Sequence, residues 1–282
     1  MAILLDGKNV AQSIKDGLRR DVLSLKKEGR GAPVLACVAV GKDPASAVYI
    51  RSQDAAARDL GIEYRLISFG EDITQEGLVS EIRGLNTDKG IHAVMIQSPL
   101  PKHLDIGKLV GFILPAKDAE GIHPENLGRL FLGQGKIAPP TAAACMELLR
   151  HSGVKLFGKE AVVVGHSNIV GKPLSLMLLK EFATTTVCHI ATSEAGKLRD
   201  HVARAEILIV AVGQAQLVKG SWIKEGAVVL DVGINRAGGR IVGDVEFDEA
   251  QKRAAYITPV PGGVGPLTVT MLMRNTVELF KG

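Results

Sequence analysis

Apolar runs of strand length alternate along this chain with segments in which apolar residues recur every three or four positions. The clearest early pair is Val34–Val40, a run of apolar residues, followed by a segment of helical period over 46–61 that closes on a glycine. The rhythm continues with a strand at Glu63–Phe69, a helix opening near Thr74 with Glu76 in its first turn, and a strand at Ala93–Ile96. From Pro99 to Pro140 prolines interrupt the pattern, and a helix over 142–151 then leads into a more regular half. There the spacing predicts strands at 161–165, 185–189, 207–211, 228–232 and 256–258, helices between most of them, and a closing helix over 268–280.

Continuous apolar strands separated by helices imply an α/β fold in which parallel sheets are covered on both faces. The chain has 282 residues, 46% of them hydrophobic, enough for two such lobes. The pattern assigns residues 1–140 to the first lobe and 141–267 to a second, Rossmann-like one. The last segment, 268–282, is expected to pack back on the first. Ligands of parallel sheets sit outside the carboxyl ends of the strands, so the expected site is the cleft between the two lobes.

Charge and composition narrow the ligand. With 34 Lys+Arg against 30 Asp+Glu the net charge is +4, and the basic residues are scattered. That argues against a nucleic-acid partner and suits a small anionic ligand. Cys37, Cys145 and Cys188 form no close pair, and the seven histidines show no paired helical spacing, so no metal is expected. The odd cysteine count, a start without a basic leader, and no apolar run of the roughly 20 residues that span a bilayer point to a cytoplasmic protein with reduced thiols, away from membranes. Aromatic residues make up only 4% of the chain, which makes Tyr49 conspicuous as a flat surface.

Two stretches carry chemistry. Residues 259–266 read Pro-Val-Pro-Gly-Gly-Val-Gly-Pro and are followed by Thr268. Prolines hold φ near about −65° and lack an N–H, while glycines allow positive φ and close approach, so a rigid ligand-shaping loop is expected here. Residues 161–173 read as strand, turn and helix with a G-x-S-x-x-x-G pattern running from Gly165 to Gly171. Gly165 would permit the tight turn, Ser167 would offer a hydroxyl and N–H to phosphate, and the helix would present its N-terminus to a pyrophosphate. The strand ends at Val212-Gly213 and at Asp231-Val232-Gly233-Ile234 would wall a nicotinamide pocket. Where an NAD site commonly has an acidic residue on the ribose, and an NADP site an arginine on the 2′-phosphate, this chain has Cys188-His189-Ile190. His166, His189 and Lys172 could assist a phosphate, and the choice between NAD and NADP stays open.

Joined together, these stretches resemble the methylenetetrahydrofolate dehydrogenase/methenyltetrahydrofolate cyclohydrolase family nearly end to end. The match includes Val40-Gly41-Lys42-Asp43-Pro44-Ala45-Ser46 leading to Tyr49, then Gln97-Ser98-Pro99-Leu100-Pro101, and Lys117-Asp118-Ala119-Glu120-Gly121 with Asn126 and Gly128. It continues through the Gly165 turn, Asp231-Val232-Gly233-Ile234-Asn235, Gly243-Asp244-Val245 and the 259–266 loop. The resemblance implies a homodimer acting on tetrahydrofolate one-carbon derivatives, with the aminobenzoyl ring on Tyr49 and the pterin held by Gln97 and Glu120. It implies that Pro99, Leu100, Pro261, Gly262 and Gly263 line the substrate. It implies further that Gly165, His166, Ser167, Val170, His189, Ile190, Val212, Gly213, Gly233 and Ile234 contact the dinucleotide.

The departures from that family are informative. Its Tyr-x-x-x-Lys pattern reads Tyr49-Ile50-Arg51-Ser52-Gln53 here, so Gln53 stands where the catalytic lysine is expected, in a catalytic set of Tyr49, Gln53, Gln97 and Glu120. Glu120 is one methylene longer than the usual aspartate, and Pro139-Pro140-Thr141-Ala142 replaces a Pro-Cys-Thr-Pro segment. His166, Ile190 and Ala191 stand where members carry Arg, Ser and Arg or Lys, which removes partners for a 2′-phosphate and inclines the chain toward NAD. Hydride transfer from the methylene bridge needs alignment of two rings and no obligatory proton acceptor. Hydrolysis of the methenyl cation needs a base, typically worth about 10²- to 10⁴-fold. The expected activity is therefore a methylenetetrahydrofolate dehydrogenase with weak or absent cyclohydrolase. The alternatives are a fully bifunctional enzyme that uses another group or an ordered water as base, and a catalytically silent folate- or nucleotide-binding protein. A different two-domain oxidoreductase of small acids or ketones is disfavoured by the 259–266 loop.

Overall fold

The computed structural model describes residues 1–282, the side chain of Ala45 excepted. The chain begins with β1 (Ile3–Leu4), α1 (Gly7–Lys27), β2 (Val34–Val40), α2 (Pro44–Leu60), β3 (Glu63–Phe69), α3 (Gln75–Thr87) and β4 (Ala93–Ile96). The proline-interrupted stretch holds the short helices α4 (Ile106–Val110) and α5 (Pro124–Phe131) and leads to α6 (Pro140–Ser152). The second half runs through β5 (Glu160–Val164), α7 (Gly171–Lys180), β6 (Thr184–Cys188), α8 (Ile190–Glu194), α9 (Leu198–Arg204) and β7 (Ile207–Val210). It closes with β8 (Val228–Asp231), the hairpin of β9 (Asn235–Ala237) and β10 (Arg240–Val242), α10 (Phe247–Arg253), β11 (Tyr256–Ile257) and α11 (Val264–Lys281).

Two compact units result: residues 1–12 with 141–268, and residues 13–140 with 269–282. The first twelve residues thus differ from the division read off the pattern. The reason is β1, which pairs in parallel with β11, Ile3 opposite Tyr256 and Leu4 opposite Ile257. A two-residue strand has no readable period, and its neighbour lies at the far end of the chain.

In the 13–140/269–282 unit the sheet order is β3-β2-β4, all parallel. Every residue of central β2 is buried. Leu35 and Cys37 face a cluster supplied by α1, α2 and α11, while Ala36 and Val38 face α3 and α4. Alternation along the strand thus feeds two cores, which is why β2 reads as an unbroken apolar run. Asp43 caps α2 by accepting from the Ser46 N–H (2.7 Å), Pro44 fills the first turn, and Gly61 closes the helix at φ 74°. The helix starts two residues earlier than its apolar period suggests because a first-turn proline has no N–H to lose. For the same reason α11 starts at Val264, inside the Pro-Gly stretch, with Pro266 in its first turn.

In the other unit the order β1-β11-β8-β7-β5-β6 is parallel throughout. After β5 the chain places β6 on one side and β7 on the other, so the strand order reverses between β5 and β7. Such a switch point leaves an opening beyond the carboxyl ends of the two strands. No helix is long and apolar enough to cross a membrane among the described residues.

Asn275 of α11 ties down the loop that carries Glu120. Its buried amide donates to the Ala119 and Ala138 carbonyls, both at 2.9 Å. Asn275→Leu would leave two carbonyls without their donor, at a cost of about 2–3 kcal/mol. Urea denaturation is expected to show a lower midpoint with an unchanged slope.

Candidate active site

At the switch point, Gly165 has φ 130°, and a Cβ there would lie 2.3 Å from the Ala211 carbonyl oxygen. Gly171 is pressed against the Gly165 carbonyl in the same way, at 2.0 Å. No side chain fits at either position, so the turn after β5 brings its backbone directly to the start of α7. The Ser167 hydroxyl accepts from the Val170 N–H at 3.1 Å and shapes that turn. A cavity of about 350 Å³ opens there, lined by Gly165, His166, Ser167, His189, Ile190 and Val212, with Ser193 and Gln214 also on its wall. The His166 and His189 rings lie 5.4 Å apart, and Ile190 is 67% exposed. Val170 is buried beneath the turn and does not line the cavity. A glycine cradle, backbone N–H groups and a helix N-terminus suit the pyrophosphate of a dinucleotide.

A second cavity, about 260 Å³, gathers Lys8, Gly233, Ile234 and residues 259–266. In its loop only Gly262 takes a positive φ, 113°; Gly263 serves close packing instead, since a Cβ would sit 2.6 Å from Thr258. Gly265 belongs to α11.

Two carboxylates knit these strand ends together. Asp231 Oδ1 accepts from the N–H groups of Gly233 (3.0 Å) and Asp244 (2.9 Å), and its Oδ2 from Val245 (2.9 Å). Burial pushes the Asp231 carboxyl up to about 6, although these three N–H groups pull it down. Asp244 Oδ2 accepts from Val212 (2.7 Å) and Gly213 (3.0 Å), and Oδ1 from the Asn235 amide (2.8 Å). Gly213 and Gly233 are thereby held through a pair of buried acids. The sequence showed the motifs Asp231-Val232-Gly233 and Gly243-Asp244-Val245 but not that they lock each other.

In the 13–140/269–282 unit the site residues gather at the carboxyl ends of β2 and β4. Tyr49 and Gln53 lie one turn apart on α2; Tyr49 is 44% exposed, whereas Gln53 is 6% exposed. Gln97 follows β4, and its Oε1 accepts from Gln53 Nε2 at 3.3 Å. The Gln97 Nε2 donates to the Ser98 carbonyl (2.8 Å), which also accepts from the Ser46 hydroxyl (3.1 Å). Ser46 and Gln97 reach a cavity of about 320 Å³ beside Gly41 and Lys42. Glu120 is half-buried, and its Oε2 accepts from the Ile96 N–H at 3.4 Å. Burial, and then the Asp118 carboxylate, raise the Glu120 carboxyl to about 7. Pro99 is exposed, but Leu100 packs against the α3 and α4 core rather than standing free.

Sequence reading missed Tyr64, whose hydroxyl donates to Gln53 Oε1 at 2.7 Å. Only the parallel pairing of β3 with β2 brings it there, Tyr64 opposite Leu35. Among the described residues no group of three or more His, Cys, Asp or Glu could hold a metal ion.

A parallel α/β unit with a phosphate-fitting turn at its switch point defines a nucleotide-binding protein, here joined to a second α/β unit with its own polar site. The family description for the tetrahydrofolate dehydrogenase/cyclohydrolase NAD(P)-binding domain matches residues 139–282, and that for the catalytic domain matches residues 5–120. The chain belongs to the tetrahydrofolate dehydrogenase/cyclohydrolase family. A bifunctional protein FolD of Geotalea uraniireducens is 49% identical over 285 residues, covering 100% of this chain and 99% of the relative. The crystal structure of the bifunctional FolD methylenetetrahydrofolate dehydrogenase/cyclohydrolase from Campylobacter jejuni matches with a TM-score of 0.96 at 42% identity, over 100% of this chain and 99% of that one. The Trypanosoma brucei enzyme, complexed with NADP cofactor and inhibitor, matches with a TM-score of 0.94 at 42% identity, over 99% and 97% of the two chains.

The raised Glu120 carboxyl makes stability depend on pH in a definite direction. Its folded value of about 7 exceeds the ordinary 4.5, so between these pH values the folded state holds more of the proton, and stability falls as pH rises through the window. Above pH 7 the charged form carries the whole penalty, at most about 3 kcal/mol. Glu120→Gln is expected to raise the melting temperature at pH 8 and to leave it near wild type at pH 4.5, as calorimetry at the two pH values would show.

Proposed function

We propose that this chain oxidises 5,10-methylenetetrahydrofolate to 5,10-methenyltetrahydrofolate with NAD(P)+ as hydride acceptor, and that it accelerates the following hydrolysis weakly or not at all. Family membership over the whole chain supports the dehydrogenase. The observation that carries the restriction is Gln53: buried, hydrogen-bonded as a neutral amide on both its oxygen and its nitrogen, and standing where the resemblance expects the lysine. A carboxamide takes no proton at neutral pH.

A bound nicotinamide supplies the hydride acceptor. The turn at Gly165 and Ser167 would hold the pyrophosphate, His166, His189 and Ile190 would surround the adenosine end, and Val212, Gly213, Gly233 and Ile234 would border the nicotinamide. Tyr49 would give the aminobenzoyl ring a face to lie on. Gln97 would address the pterin edge with a donor and an acceptor, and Glu120, when ionised, would accept from its amino and N–H groups. Pro261, Gly262 and Gly263 would shape the substrate by excluding water and side chains from its rim. All of this serves alignment, which is what hydride transfer needs.

Glu120 favours a second reading. A carboxyl raised to about 7 suits a general base at neutral pH, so a fully bifunctional enzyme could use Glu120 to take the proton of the attacking water. Two spectroscopic assays on one sample separate the readings: methenyl formation from the methylene compound with either dinucleotide, and decay of supplied methenyl compound above its spontaneous rate. The expected result is oxidation without accelerated decay. Hydrolysis comparable to the dehydrogenase turnover would establish the bifunctional reading, and inactivity in both would point to a binding protein. Gln53→Lys is then expected to raise hydrolysis by about 10²-fold. Because His166, Ile190 and Ala191 offer no fixed positive charge for a 2′-phosphate, kcat/KM should be higher with NAD than with NADP; a strong NADP preference would refute that assignment.

A further inference from the structure

The hydrogen bonds around Gln53 have a direction that can be worked out from one end. The Ser98 carbonyl can only accept, so Gln97 must turn its Nε2 toward it, at 2.8 Å. That leaves Gln97 Oε1 facing Gln53, which must answer with Nε2, at 3.3 Å. Gln53 Oε1 is then left facing Tyr64, whose hydroxyl has to donate, at 2.7 Å. Inverting either amide would set donor against donor or acceptor against acceptor. Gln53 and Gln97 are 6% and 8% exposed, so water does not readily replace a lost partner.

Tyr64 is suited to end such a chain. Its ring packs against the cluster of α1, α2 and α11, and its phenol is raised above the usual range, first by burial and then by the neighbouring Cys37 thiol. The hydroxyl therefore keeps its proton and remains a donor throughout the range in which the enzyme works.

We propose that Tyr64 is a positioning residue for the folate site: its hydroxyl closes the far end of the chain of amides whose direction the Ser98 carbonyl sets, and so holds the Gln53 side chain with its Nε2 aimed at Gln97. The proposal rests on the folate reading of this site. Its consequence is that one lone pair of the Gln53 carbonyl oxygen is taken up by Tyr64 and the side chain is held in place at both ends. Gln97 meanwhile presents a defined edge to the cavity it shares with Ser46.

The test is a double-mutant cycle with Tyr64→Phe, Gln53→Met and the two combined. Tyr64→Phe is expected to lower kcat for oxidation of the methylene compound by about tenfold while leaving KM for the dinucleotide unchanged. Because Tyr64 acts through the Gln53 amide, the double variant should be no slower than Gln53→Met. Losses that multiply in the double variant, or a Tyr64→Phe enzyme equal to wild type, would overturn the proposal. Nitrogen-15 NMR of the Gln53 side-chain amide provides a reading independent of turnover. Slow exchange of its protons in wild type should give way to a shifted, fast-exchanging pair in Tyr64→Phe, and an unchanged resonance would again overturn the proposal. A wild-type protein without dehydrogenase activity would refute the folate reading while the amide signal still decided the role of Tyr64.

Discussion

Backbone hydrogen bonding in a parallel sheet is satisfied sideways along each strand and left open at the ends, and the chemistry of this chain is arranged around that constraint. β2, buried along its length, and β5, buried from Ala161 to Val164, are flanked on both edges by other strands and have no lateral surface to give to a ligand. What remains is the carboxyl end, where Val40 and Ile96 run on to Gly41 and Gln97 in one unit and Val164 and Val210 run on to Gly165 and Ala211 in the other. Both sheets reverse their strand order, between β2 and β4 in one and between β5 and β7 in the other. The two sites are thus solutions of one topological problem on two sheets.

Polar groups at such buried ends have to be satisfied within the protein, and the two units do this differently. Beyond the ends of β7 and β8, carboxylates collect backbone N–H groups: Asp231 takes three and Asp244 takes two together with the Asn235 amide. Acceptors without a proton of their own suit loops that expose donors. Around Gln53 and Gln97 the groups are neutral and are ordered by a single carbonyl that can only accept, with Tyr64 at the far end of the chain of bonds. Glu120 stands apart from both arrangements. Its one backbone donor is long, 3.4 Å, and its carboxyl is the least well compensated among the residues of this site.

Much of this was legible in the sequence. β2 and β4 fall where apolar runs placed them, because a strand buried on both faces leaves an unbroken apolar signature, and the partly exposed edge strand β3 also falls at its expected place. The Gly165 turn was readable because two close backbone approaches admit no Cβ. Helix α1 went unread altogether, as did the helices between Pro99 and Pro140, where short elements and prolines leave too few turns for a period to emerge. β1 was invisible for the same reason.

The sequence by itself determined the class of fold and the positions of the glycine and proline turns, since each of these is a property of local residue type and spacing. Only the tertiary structure decided which side chains meet. Tyr64 reaches Gln53 through the register of two parallel strands, Asp244 reaches Val212 across a loop, and Leu100 turns into the core. Contacts between residues distant along the chain are set by packing and register, which a linear pattern of polar and apolar positions does not encode.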